Sequence, residues 1–271
     1  MDSARPNRSR EVWGLRGRRR GLMTVKRIAW ISDIQAPFFH EAAVKNLGKF
    51  LRAYKPHQTI CIGDEIDLPQ LGGFAQPWQE VEGNIDEDRR LTLEILEYLG
   101  VTDVVGSNHG ARVYKSLSRR LPAFMNLPEL RYDKFMGYDK AGIKYHPNGF
   151  DFAPGWHTCH GDAFPLSNKP GQTALNGAMR MGKSVVSGHT HRLGLSAHSE
   201  ASGGRYGRIV WGVEVGNLVD LSSPGMGYTK GYANWQMGFV VGTLHGKRFT
   251  PELIPIDPKD GSFIYQGKRW G

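Results

Sequence analysis

The sequence predicts an α/β fold built around a mixed, mostly parallel sheet, followed by a second, β-rich part. Three observations predict it. Apolar runs of strand length alternate with amphipathic helical segments through residue 105. Five of the apolar runs are followed at once by a short polar cluster. From residue 208 onward, runs rich in Val, Ile and Phe are joined by Gly-containing turns with no helical spacing between them.

Taken in order, Lys26–Ser32 (KRIAWIS) is a short apolar run ending at Asp33, the pattern of a strand buried on both faces. Residues 41–54 have helical spacing, with Val44, Leu47, Phe50 and Leu51 on one face, and Pro56 stops the helix. Gln58–Ile62 is a second strand leading into Gly63-Asp64. Glu87–Leu99 is a second amphipathic helix on the row Leu91, Ile95, Leu99, and Val101–Val105 is a third strand just ahead of Asn108. Strand–helix–strand repetition implies right-handed crossovers, and ligands in such sheets gather beyond the carboxyl ends of the strands.

Beyond this, Ala111–Leu121 reads as a helix, and residues 111–155 as an insertion over the site. Phe152–Cys159 reads as a strand delivering His160, and Ser184–Ser187 as one delivering Gly188. Arg208–Val215, Gln236–Leu244 and Phe249–Ile256 complete the strands. One domain therefore spans 25–257, between a basic, disordered tail over 1–24 and a C-terminal tail over 258–271.

Composition sets bounds. A chain of 271 residues that is 39% hydrophobic can bury a substantial core, and no apolar run is long enough to span a membrane. With two cysteines, Cys61 and Cys159, in no zinc-finger spacing, a disulfide framework is not expected and a reducing cytoplasm is the default location. The net charge of +9 is concentrated: residues 1–22 carry seven arginines against Asp2 and Glu11, a net +5. That arm is open to three readings: a nucleic-acid contact, a solvated extension, or residues upstream of a natural start at Met23.

The five clusters are Asp33-Ile34-Gln35, Gly63-Asp64-Glu65-Ile66-Asp67, Asn108-His109, His160-Gly161-Asp162 and Gly188-His189-Thr190-His191. Asp, Asn and His recurring at strand ends are what a two-metal site for phosphate-ester chemistry requires, since such ions take mixed oxygen and imidazole donors. As an ordered set the clusters resemble the calcineurin-like metallophosphoesterase superfamily, whose pattern runs D-x-H, G-D-x-x-D, G-N-H-[DE], a single His, then G-H-x-H. The resemblance covers roughly residues 26–256. It implies a four-layer αββα sandwich with a mixed, mostly parallel sheet, a second β-rich sheet, and the metal site at the carboxyl ends of the strands.

Residue by residue, the resemblance implies that Asp64 bridges two divalent metal ions. Asp33, Gln35 and His191 would complete the first site, and Asn108, His160 and His189 the second. Mn²⁺ is the expected ion, with Fe, Zn, Ni and Mg as alternatives. A metal-bridging hydroxide would attack phosphorus in line, with His109 assisting the leaving group and Asp67 orienting His109. Three departures stand out. Gln35 replaces the family's first-motif His, a neutral and weaker donor, and His40 is the nearby residue that could compensate. Ser107 precedes Asn108, and Gly110 replaces the trailing acid. Two histidines, His157 and His160, compete for the single-His position; His160 is preferred because it precedes Gly, and Asp162 reads as a turn residue.

The implied function is a metal-dependent phosphodiesterase or phosphatase acting on a phosphoester, with nucleotides or nucleic acid as candidate substrates and no membrane partner. The alternative is a scaffold or binding protein of the same fold, weak or inactive because of Gln35. The aromatic segment Tyr228, Tyr232, Trp235, Phe239 reads as core and sheet packing ahead of a base-stacking pocket.

Overall fold

Strand β1 (Val25–Ile31) buries both of its faces, and the two layers on either side of it define the architecture. The computed structural model describes residues 25–72, 84–223, 226 and 233–271. Ile28 and Trp30 point into one apolar cluster, and Ala29 and Ile31 into another. This is the period-two alternation of a pleated strand, and with both sides covered it yields an unbroken apolar run in sequence.

The first sheet has the order β11-β10-β1-β2-β3-β4. β1, β2 (Gln58–Cys61), β3 (Asp103–Val105) and β4 (Lys144–His146) run parallel. β10 (Gly238–His245) and β11 (Arg248–Pro255) extend the other edge antiparallel. The second sheet has the order β5-β6-β7-β9-β8, with β5 (Phe150–Ala153), β6 (Trp156–Thr158), β7 (Ser184–Ser187), β8 (Leu193–Ser202) and β9 (Arg205–Val215). The sheets face each other across Ile28, Trp30, Ile60, Val105, Val240 and Phe249 on one side and Trp156, Val186 and Val213 on the other.

Helices α1 (Glu41–Tyr54) and α2 (Ile85–Tyr98) cover the outer face of the first sheet. α3 (Ala111–Arg120) and two four-residue helices, α4 (Tyr132–Phe135) and α5 (Tyr138–Ala141), follow. Helix α6 (Gln172–Met181) covers the second sheet through Leu175 and Ala178 against Val185 and Val210. The result is the expected four-layer αββα sandwich. α1 is capped by His40, whose Nδ1 accepts from the Ala43 amide. Asn84 caps α2 in the same way, and Asp86, Glu87 and Asp88 in its first turn suit the positive end of the helix dipole.

Several boundaries differ from the sequence reading. Phe152–Cys159 is not one strand: the chain reverses at Pro154-Gly155, giving the β5–β6 hairpin. Residues 111–155 do not form only an insertion, because β4 pairs with β3 and β5 closes the edge of the second sheet. Residues 258–271, expected as a tail, contain the hairpin of β12 (Phe263–Tyr265) and β13 (Lys268–Trp270). Its Phe263, Tyr265 and Trp270 rings meet Phe50 of α1 at 5.2–5.5 Å. Strands β4 and β8 and helix α6 were not anticipated. The basic tail, Met23, Tyr228 and Tyr232 lie outside the described residues. Among the described residues no helix is long and apolar enough to cross a membrane.

Phe50 is 1% exposed and also meets Tyr54 and Phe239, so it joins α1, the first sheet and the C-terminal hairpin. Phe50→Ala is expected to lower the free energy of unfolding by about 3–5 kcal/mol, measured by denaturant titration. A loss under about 1 kcal/mol would mean that the hairpin is not packed on the core.

Candidate metal centre

All five polar clusters meet at one end of the sandwich, because each leaves the carboxyl end of a parallel strand. Asp33 and Gln35 follow β1, Asp64 follows β2, and Asn108 and His109 follow β3. From the other sheet, His160 follows β6, and His189 and His191 follow β7. The turns are tight. Asp33, Gln35, Asp64, His189 and His191 all have φ between 50° and 69°, the left-handed region that non-glycine residues seldom occupy. Such backbone persists only where its surroundings hold it. Here the Asp33 amide donates to the Gly63 carbonyl (3.2 Å), the Gln35 amide to the Asp64 carbonyl (2.8 Å) and the His189 amide to Asp33 Oδ2 (3.0 Å). A side chain at Gly188 would collide with Ser32 Oγ and Asp33 Oδ2, so glycine is required where the turn after β7 meets the end of β1.

Asp64 is the centre. It is 2% exposed, with Oδ2 3.2 Å from His160 Nε2 and Oδ1 accepting from the His109 amide at 3.2 Å. Burial opposes its ionisation, but His160 and His109 outweigh that and hold the carboxyl well below the usual range. His160 Nδ1–H donates to the Ile62 carbonyl at 2.7 Å, which turns Nε2 toward Asp64 and toward Asn108 Oδ1 at 2.9 Å. Two oxygen acceptors thus face one ring nitrogen, a geometry that demands a proton or a cation there. Burial works against that proton, yet Asp64 and Asp33 push the His160 pKa up to about 10. His189 stacks edge-on to His160 at 5.0 Å, and burial and the charge on His160 push its pKa down. Asp64, His160 and His189 each offer a ligand atom within 4.8 Å of one another.

Beside them, His191 Nε2 lies 3.2 Å from Asp33 Oδ1 and 3.3 Å from Gln35 Nε2. Asp33 is fully buried; burial opposes its charge, but His191 and His160 still hold its pKa down. Gln35 is 1% exposed, and its Oε1 is buried without a hydrogen bond. An unpaired buried acceptor is costly, and one beside a carboxylate and an imidazole suits a bound cation. The donor set, carboxylate, carboxamide and imidazole, is one that could hold a divalent ion.

His109 stands at the edge of this cluster. Its Nδ1 is 2.9 Å from Asp67 Oδ1 and its Nε2 3.7 Å from Asp64 Oδ2. Burial works against its charge, but Asp64 and Asp67 raise its pKa. One neighbour was missed from sequence: Arg112, whose Nη2 lies 2.9 Å from His109 Nε2 and whose Nη1 donates to the Asp67 carbonyl. Its signal is its place three residues after His109 at a helix start. Glu65, inside the second cluster, turns away from the centre and accepts at Oε1 from the Tyr132 and Tyr138 hydroxyls, each at 2.7 Å. His40 is spent on capping α1, and its Nε2 contacts the Pro258 carbonyl. His157 is occupied by Asp151 at 2.7 Å, and Asp162 is exposed. Trp235 packs its ring on His191 at 4.0 Å, and Phe239 is core.

The Gene 54 protein of Mycobacterium phage L5 is 32% identical over 256 residues, covering 90% of this chain and 98% of its own length. This chain belongs to that phage protein family. The Gene 54 protein of Mycobacterium phage D29 matches over the same length at the same identity. No family model matches the chain. Among solved structures, Entamoeba histolytica Vps29 is 14% identical with a TM-score of 0.42, covering 90% of this chain and 95% of its own. A Streptococcus pneumoniae protein described as a predicted phosphoesterase is 13% identical with a TM-score of 0.38, covering 91% and 97%.

The geometry of His160 has a measurable consequence. In metal-free protein its folded pKa of about 10 lies above the unfolded value of 6.5, so its contribution to stability is complete below pH 6.5 and is lost as the pH rises through about 10. A metal entering beside Asp64 must displace that proton. At pH 8, Mn²⁺ binding is expected to release about one proton at this position, read from calorimetry in buffers of different ionisation enthalpy. Heats independent of the buffer would show that His160 is not a ligand.

Proposed function

We propose that this chain is a metal-dependent phosphoesterase with a dinuclear centre. One observation carries the reading: seven side chains from five separate strand ends converge on one buried cluster, with a paired His109 and Asp67 at its rim. In this reading Asp64 would be shared between the ions, Asp33, Gln35 and His191 would hold the first, and Asn108, His160 and His189 would hold the second. When bound, two such cations clamp phosphate oxygens and lower the pKa of a water.

The protein's own residues do the rest. Asp67 holds His109 by Nδ1, which leaves Nε2 on the side nearest Asp64, where a departing oxygen would pass. From there His109 gives the leaving oxygen a proton or a hydrogen bond. The Nδ1–H of His160, fixed on Ile62, keeps its other nitrogen aimed at the cluster. Gln35 is a neutral donor, so the first position favours a harder ion, with Mn²⁺ ahead of Fe, Zn, Ni or Mg. The substrate is a phosphomonoester or phosphodiester, with nucleotides and nucleic acid included, and the site of action is the cytoplasm.

Hydrolysis of an aryl phosphate or a bis-aryl phosphodiester is expected to appear with Mn²⁺ and vanish with chelator. His109→Ala is expected to lower turnover by about 10²-fold or more while metal content is unchanged. Asp64→Ala releases metal. A fully metallated protein inactive on a broad phosphoester panel would leave the scaffold reading, which Gln35 favours. Gln35→His tests that residue directly. Tighter binding at the first position, followed by competition calorimetry, is expected, and unchanged affinity would remove Gln35 from the ligand set.

A further inference from the structure

The guanidinium of Arg112 has no part in the reading above, yet it contacts the ring of His109. Arg112 lies in the first turn of α3, its amide donating to the His109 carbonyl at 2.9 Å, so it stands one turn above His109 on the same side of the chain. Nη1 donates to the Asp67 carbonyl and lies 3.5 Å from Asp67 Oδ1, which fixes the plane of the group. Nη2 lies 2.9 Å from His109 Nε2, the nitrogen on the Asp64 side. The Arg112 side chain is 25% exposed, against 9% for His109 and 8% for Asp67, so the guanidinium is the outermost of the three. Among the described residues its Nε has no acceptor.

A guanidinium only donates, carries five N–H groups, and stays charged at any working pH. Two of those groups are committed here, and the side chain keeps 25% of its surface exposed. The fixed positive charge therefore lies on the side where a leaving group departs, at the rim of a cluster whose other donors converge on Asp64. We propose that Arg112 is a leaving-side anion clamp, and that the site prefers phosphoanhydrides, in which a second phosphate departs, over esters with uncharged leaving groups. This inference rests on the phosphoesterase reading for the position of the reacting phosphorus.

In the step it serves, water adds its oxygen to phosphorus and the P–O bond of the anhydride breaks. The released phosphate takes the electron pair, and the protons of water pass to the products and solvent. Arg112 stabilises the negative charge that develops on the leaving phosphate, and charge-assisted bonds to phosphate are the strong, fork-shaped ones. As Arg112 turns onto that phosphate, His109 Nε2 is freed for the same oxygen.

The test compares Mn²⁺-loaded wild type, Arg112→Met and Arg112→Lys on inorganic pyrophosphate and p-nitrophenyl phosphate. The ratio of kcat/KM for pyrophosphate to that for the aryl ester is expected to fall about tenfold or more in Arg112→Met and to recover in part in Arg112→Lys. An unchanged ratio, whether or not both rates fall, would overturn the inference and leave Arg112 as a support for His109. Calorimetric binding of pyrophosphate to the loaded proteins is read in parallel, with metal content as the check on folding. If no substrate turns over, the phosphoesterase reading fails, and binding alone decides Arg112: about tenfold weaker binding in Arg112→Met upholds the clamp, and equal binding overturns it.

Discussion

A carboxylate buried at the seam of two sheets must be matched by positive charge, and the Asp64 carboxylate is the group around which this structure is arranged. At 2% exposure it has no access to bulk water, so its partners come from the protein or from a bound ion. His160 from the second sheet and the His109 amide from the first meet it directly. Because β1, β2 and β3 run parallel, as do β6 and β7, their carboxyl ends open on the same side, and the topology alone brings these side chains within reach. The left-handed turns at Asp33, Gln35, Asp64, His189 and His191 then aim the side chains inward. This strain is tolerated because the turns of β1 and β2 hydrogen-bond to each other and His189 is tied to Asp33.

The turn after β2 serves three neighbourhoods within four residues. Asp64 faces the centre, Glu65 turns to Tyr132 and Tyr138, and Asp67 reaches His109 and Arg112. Burial pushes the Glu65 carboxyl up, and the two tyrosine hydroxyls hold it while docking α4 and α5 against the same turn. A charged centre, a polar anchor and the partner of His109 thereby share one piece of backbone, which couples the position of the helices to the geometry of the site.

Much of this was legible in the sequence, for definable reasons. Strands buried on both faces, such as β1, read as unbroken apolar runs, and each such run ended in its polar cluster. What was missed carries weaker or conflicting signals. Helix α6 packs so closely that small residues are needed: Gly177 lies against Phe164, and a side chain at Gly212 would strike the backbone of Leu175. Small residues blur the helical stripe. Strand β8 is an edge strand exposed over most of its length, held through its backbone to β9, so it lacks an apolar pattern. The β5–β6 reversal was announced by Pro154-Gly155, but flanking aromatics disguised it. The final hairpin carries its own mark in Gln266-Gly267, where both residues have positive φ as a two-residue turn requires. Arg112 carried only its place three residues after His109 at a helix start, and the proximity of α3 to Asp67 shows where its guanidinium goes.

The central claim is that the strand ends form one two-ion site with Asp64 between the ions. Anomalous diffraction from crystals grown with Mn²⁺ measures this directly. Two peaks about 3.5–4 Å apart are expected, one beside Asp33, Gln35 and His191 and one beside Asn108, His160 and His189, with Asp64 touching both. A single peak away from Asp64, or none at saturating Mn²⁺, would contradict it.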